Sequence, residues 1–147
     1  MSALTKGYNP AAVTVVFRGA LLDGFGPDSK VECTFPDAFS MEIGTDGEAC
    51  MTRINDYSAT VKITLMQSSY SNDVLSALHS IDRNSPLGGG VGVLQIVDLT
   101  GTTLINAPQA RIQKFADIAF GKTSGTREWT FIMGQALVQV GGNVPAF

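Results

Sequence analysis

At 147 residues the chain is one domain's worth, and only 16% of it is charged against 44% hydrophobic, a low charge that suits a chain burying much of its surface, including against copies of itself. A net charge of −3 without any Lys/Arg cluster excludes the electrostatic footprint of a nucleic-acid binder. No basic-then-apolar leader opens the chain and no apolar run is long enough for a membrane span, so the protein is expected in a cytoplasm with no membrane partner.

Residues 1–10 hold little apolar material and end in the turn signal Asn9-Pro10, which reads as an N-terminal arm. A strand is expected over 12–18, with Val13, Val15 and Phe17 on one face, followed by a loop from Asp23 to Asp28. From Lys30 to Phe35 the chain alternates, Val31, Cys33 and Phe35 against Lys30, Glu32 and Thr34, and Phe39, Met41 and Ile43 continue that period after Pro36-Asp37. Asp46-Gly47 then signals a hairpin. The return carries Cys50, Thr52 and Ile54, breaks at Asn55-Asp56, and resumes with Ala59, Val61, Ile63 and Leu65 facing in.

A two-residue turn at Asp46-Gly47 pairs Ile43 with Cys50 and Phe39 with Ile54. Further out it sets Phe35 against Ser58 and Val31 against Lys62, with the faces out of phase. A bulge is therefore expected near Pro36-Asp37 or Asn55-Asp56. The same register puts Cys33 opposite Thr60 and far from Cys50, so both are expected as free thiols.

A helix is expected over 71–82, with Ser71 as its N-cap, Asp73 in the first turn and an apolar stripe of Val74, Leu75, Leu78 and Ile81. Arg83 and Pro86 are stop signals, and three glycines from Gly88 return the chain to strand. Residues 91–99 are nearly continuously apolar, as in a strand covered on both faces. Strands follow over 103–107 and 109–115 with Pro108 between, then over 127–133, with Trp129, Phe131 and Met133 together, and over 135–140. Residues 141–147 read as a C-terminal arm, and Phe25 and Phe147, beside Gly/Pro turn chemistry, as aromatics used between subunits. The whole is a single domain, mainly β: an antiparallel β-sandwich or barrel with one flanking α-helix.

Catalytic chemistry finds little to work with. His79 is the sole histidine and borders the helical stripe, where packing explains it. The glycine run lacks the Lys-Ser/Thr of a phosphate loop, and Asp46 to Glu48 is explained by a hairpin tip. No enzyme activity, cofactor or metal is expected.

The run Met41-Glu42-Ile43-Gly44-Thr45-Asp46-Gly47, the strand Ala59-Thr60-Val61-Lys62-Ile63-Thr64-Leu65, the helix around Leu75-Ser76-Ala77-Leu78, Val97-Asp98-Leu99-Thr100-Gly101, and Ala110-Arg111-Ile112-Gln113-Lys114 through Glu128-Trp129-Thr130-Phe131 together resemble the tail tube proteins of contractile-tailed phages. The resemblance spans nearly the whole chain. It implies six copies per ring and rings stacked into a tube through which double-stranded DNA leaves the capsid, within a virion tail assembled in the bacterial cytoplasm. It further implies a tail sheath, baseplate hub and tape-measure protein as partners, and closure of edge strands into a continuous inner barrel. Physics adds that such a lumen must not hold DNA, and six subunits of charge −3 give a ring near −18 that repels phosphates. Glu42, Glu48, Ser58, Thr60 and Lys62 are the candidates for the lumen wall, with Lys62 paired to a neighbour's carboxylate. Asn9, Pro10, Phe25, Asp46, Gly47 and Phe147 are the candidates for contacts between subunits. A type VI secretion or bacteriocin tube, and a small-ligand-binding β-barrel, are the alternatives.

Overall fold

The computed structural model describes residues 5–27, 30–87 and 89–143. A short 3-10 turn, Pro10–Ala12, leads into β1 (Val13–Phe17) and β2 (Ala20–Leu21). Then come β3 (Val31–Thr34), β4 (Phe39–Ile43), β5 (Ala49–Arg53), β6 (Ala59–Met66), α1 (Ser71–Arg83), β7 (Gly92–Asp98), β8 (Leu104–Lys114), β9 (Thr126–Met133) and β10 (Leu137–Gln139). Eight strands form one sheet in the order β2-β1-β7-β8-β9-β6-β3, with β10 also on β8, while β4 and β5 pair only with each other. All named pairings are antiparallel. The architecture is the mainly-β, one-helix fold expected from the sequence.

The sheet folds over on itself. β1 and β9 are separated by β7 and β8 in the strand order, which in a flat sheet puts them about 14 Å apart. Yet the rings of Phe17 and Phe131 meet edge-on with centroids 5.0 Å apart. The fold line is β8. Its first half pairs with β10 and β7, its second with β9. Ile105 and Ala107 point inward before the line and Ala110 and Ile112 after it, so the inward phase shifts by one residue across Pro108-Gln109. Pro108, lacking an N–H, sits where a ladder bond is not required. The sequence placed a break there; the structure carries one bent strand through it.

The core lies between the two halves: Val15, Phe17, Leu94 and Ile96 from one, Val61, Ile63, Leu65, Trp129, Phe131 and Met133 from the other. The β6–β9 ladder runs unbroken from Ala59↔Met133 to Met66↔Thr126, matching the alternation read from both segments. β7 differs from expectation. Leu94 and Ile96 are buried while Val93 is half exposed, because α1 leaves its outer face uncovered.

α1 also presents a different face. Ser71, Leu75 and His79 are its buried positions and Ile81 faces solvent. The i, i+4, i+8 row carries the packing, and His79 fills the third place with its ring against Phe115. Tyr70 rather than Ser71 is the N-cap. Ser71 is instead the first helical residue, its hydroxyl accepting from the Asp23 amide (2.9 Å), while Ser69 Oγ accepts the Ser71 amide (3.2 Å). Asn72 Oδ1 accepts from Trp129 Nε1 at 3.0 Å, tying the helix start to the sheet.

The hairpin turn is corrected too. Ile43 pairs with Ala49, Met41 with Met51 and Phe39 with Arg53, one residue off the expected register. Gly47 N–H donates to the Gly44 carbonyl (3.0 Å) and Gly44 N–H to the Glu48 carbonyl (2.8 Å), closing a three-residue loop of Thr45, Asp46 and Gly47. The favoured two-residue turns need positive φ at the first centre, here Asp46, but in this loop only Gly47 takes it, at 89°. Cys33 faces Val61 rather than Thr60, and both cysteines are free. In place of the expected bulge, the hairpin and the β3–β6 pair are separate ladders. Register moves by two residues between Phe39↔Arg53 and Thr34↔Thr60, across the Pro36-Asp37 and Asn55-Asp56 breaks.

Candidate assembly surfaces

The β4–β5 hairpin stands off the body. Every residue of both strands is exposed, and from Phe39 to the tip it reaches roughly 20 Å. Its ladder sorts the side chains by face. Phe39 and Arg53, Met41 and Met51, and Ile43 and Ala49 lie together; Ser40 and Thr52, and Glu42 and Cys50, form the other face. Phe39, Met41 and Ile43 are each more than half exposed and Met51 is 74% exposed, with the Arg53 guanidinium over the Phe39 ring at 5.1 Å. A two-stranded ribbon is marginal in water by itself. Contiguous exposed apolar surface of this kind marks candidate interaction sites. Residues 37–56 also hold five carboxylates (Asp37, Glu42, Asp46, Glu48, Asp56) against Arg53, a net −4 in a chain of net −3.

The lumen candidates divide. Glu42 and Glu48 belong to this hairpin, and Asp46 and Gly47 form its exposed tip, where Asp46 Oδ1 accepts the Glu48 amide (3.1 Å). Ser58, Thr60 and Lys62 lead along β6 on the main sheet. Ser58 gives its hydroxyl (2.6 Å) and amide (3.0 Å) to Asp56 Oδ1, bonds that hold the Asp56 carboxyl below its usual range, the hydroxyl foremost. Thr60 and Lys62 point away from the core, in register with Thr34 and Glu32 on β3 and Ile132 and Thr130 on β9. Lys62 Nζ lies 4.0 Å from Glu128 of its own subunit and directly across from the exposed Glu32. Within the subunit, Glu128 is thus the carboxylate at ion-pair distance from Lys62.

Of the inter-subunit candidates, Asn9 and Pro10 are exposed, Asn9 Oδ1 accepting the Ala11 amide (3.0 Å) to start the 3-10 turn. Phe25 is half-buried on the core and bridges to Leu65, with Lys30 Nζ 4.3 Å over its ring. Lys30 also donates to the Pro10 (2.7 Å) and Val13 carbonyls, and desolvation there lowers its pKa. Phe147 lies outside the described residues.

The C-terminal half of α1 and the end of β8 enclose an open cavity of about 470 Å³ lined by His79, Asp82, Arg83, Ser85, Arg111 and Gln113 among others. Arg111 Nε sits 2.8 Å from Asp82 Oδ2. His79 is 94% buried and its Nδ1 has no partner. Burial first, then Arg83, lowers its pKa against an opposing pull from Asp82. Beyond Phe115, a second cavity of about 370 Å³ is lined by Trp129, Ile118 and Phe120, and the last two are 71% and 80% exposed. The sequence reading passed over Ile118 and Phe120. Their signal was an apolar pair in a segment with no strand partner.

Where a ligand-binding barrel keeps a chamber, Phe17 and Phe131 touch. No helix among the described residues is long and apolar enough to cross a membrane.

Comparison with known proteins gives three findings. A family profile described as bacteriophage PhiTE tail tube protein matches residues 30–141. A structural protein of Pseudomonas phage KPP10, ORF10, is 31% identical over 150 residues, covering 97% of this chain and 87% of the phage protein. Among solved structures, a chain from the virion of a native gene transfer agent particle shares the fold at a TM-score of 0.57 with 9% identity, covering 91% of this chain and all of that one.

Proposed function

The chain belongs to the bacteriophage tail tube protein family, a structural component of the virion tail and not an enzyme, and from that premise we propose that it assembles as stacked six-membered rings around a channel for DNA ejection. The observation carrying this reading is the β4–β5 hairpin, an apolar ladder that none of the described residues of its own subunit covers. The sheet edges support it as well. Among the described residues β2 and β3 end the strand order with no strand on their outer edges, a liability in a monomer that ring closure removes.

The lumen wall in this reading is the outer face of β3, β6 and β9, which carries Thr60, Lys62, Glu32, Thr64 and Glu128. Glu32 and Glu128 together outweigh Lys62, so the face is net acidic and phosphates find no free cation row to displace counterions from. Glu42 and Glu48 are assigned to contacts between subunits rather than to the channel. The asymmetry of the ion pair tests the wall: Glu32→Lys with Glu128→Lys leaves assembly intact and slows ejection from reconstituted particles, and unchanged ejection kinetics remove this face from the lumen.

Electron microscopy of the purified chain over a concentration series tests the architecture. Hollow tubes with sixfold end views are expected, and compact monomers throughout, even when seeded with preformed tail fragments, overturn the reading.

A further inference from the structure

We propose that the acidic tip of the β4–β5 hairpin of one copy docks into the cationic cavity at the C-terminal end of α1 of a neighbouring copy, with Arg83 receiving the carboxylates of Asp46 and Glu48. The inference rests on the tube reading above and adds to it which surfaces mate.

Charge separates the two faces. The hairpin segment is net −4 in a chain of net −3, which leaves the rest of the molecule slightly positive. Two of the cations, Arg83 and Arg111, line the cavity against one carboxylate, Asp82, which leaves it net positive. Within the cavity, Arg111 is engaged by Asp82 at 2.8 Å, whereas Arg83 has an aromatic neighbour, Phe115, 5.6 Å from its guanidinium, and no salt bridge among the described residues. A cation held over a ring beside an orphaned imidazole nitrogen lacks its anion. The tip presents two, on a loop whose geometry is set by Gly47 and the Asp46–Glu48 bond.

The apolar surfaces agree with that placement. Behind the tip stand Ile43, Met41 and Met51; Leu87, 95% exposed, lines the cavity, and Phe115, 37% exposed, lies beneath Arg83 at the border with the second cavity. Seating the tip on Arg83 brings one apolar set over the other. The interface is heterologous, tip to cavity, so each copy both gives and receives, and the contact propagates rather than closing as a pair.

Charge reversal and mixing test it. Glu48→Arg and Arg83→Glu are each expected to raise the critical concentration for tubes at least tenfold, with melting temperature of the unassembled chain unchanged. Mixing the two variants, or combining both changes in one chain, restores tubes, because position 48 again meets an opposite charge at position 83. Wild-type critical concentrations for both single variants, or failure of the mixture and of the double variant to recover, overturn the docking while leaving the tube reading standing. A wild-type chain that forms no tubes overturns the tube reading instead. A second readout is independent of charge. Met41 and Met51 oxidise readily in the free subunit and are protected in tubes, and equal oxidation in both states rules out the seated hairpin.

Discussion

Phe17 and Phe131 meet edge-to-face, 5.0 Å between centroids and 72° between planes, and both are fully buried. The contact joins strands three places apart in the sheet, so it holds the folded-over geometry rather than a neighbouring pair. Removing either ring opens the middle of the hydrophobic core cluster.

Phe131→Ala is accordingly expected to cost about 3–5 kcal/mol, a large share of the 5–15 kcal/mol typical of a domain. Phe17→Ala should cost a similar amount. A double-mutant cycle in urea, on unassembled protein, should return about 0.5–1.5 kcal/mol of coupling for the ring pair. Additive losses would mean that the two halves of the sheet are stabilised separately.

The strands around this contact were legible because their burial is internal. β1, β6 and β9 alternate with a period that the single chain satisfies, as Val61, Ile63, Trp129 and Phe131 show. Met41 and Ile43 carry the same period, yet they are exposed; in the proposed tube that alternation serves burial against another copy, and a sequence does not specify against which chain a face is buried. The turn was ambiguous for a narrower reason. Asp46-Gly47 serves a two-residue or a three-residue loop, and the choice depends on whether Asp46 takes positive φ. Val93 and Ile81 were misplaced because apolar residues reveal no covering layer by themselves. Of the candidate site, the tip and the β6 face were legible. The α1 cavity was not, since Arg83 and Arg111 are 28 residues apart and meet only through the packing of α1 on β8.

Gly47→Ala separates folding from assembly. Gly47 has φ of 89° with nothing within 4 Å of an added Cβ, so the cost is backbone strain alone, about 1–2 kcal/mol. The hairpin is outside the main sheet, so the melting temperature of the free subunit should barely move. The strain falls instead on the tip's docked shape, raising the critical concentration about 5- to 30-fold, readable by sedimentation. A drop in melting temperature with assembly unaltered would place the hairpin's role in folding.

The two thiols should differ sharply. Burial pushes the Cys33 thiol up to about 11, leaving on the order of 0.1% thiolate at pH 8, and the thiolate is the reactive form. Cys50 is exposed on the hairpin. Iodoacetamide at pH 8 should therefore modify Cys50 first and Cys33 only after denaturation. Equal rates by mass spectrometry would show β3 opening from the sheet edge.

His79 makes stability depend on mildly acidic pH. Its ring is buried against Phe115, and burial, with Arg83 next, lowers its pKa in the folded chain. The unfolded chain then takes up the proton first, near the ordinary histidine value of about 6.5. Above that pH both states are neutral at this ring and its contribution is constant. As pH falls through about 6.5 the unfolded state gains protons that the folded state refuses, and stability declines until the folded pKa is passed. Carboxylates add their own losses at lower pH, but these are common to wild type and variant. His79→Phe keeps a ring against Phe115 without a titrating nitrogen, so the fall in urea midpoint between pH 7 and pH 5 should be smaller than in wild type. An identical fall in both proteins would assign the acid sensitivity to the carboxylates and show that the ring accepts its proton in place.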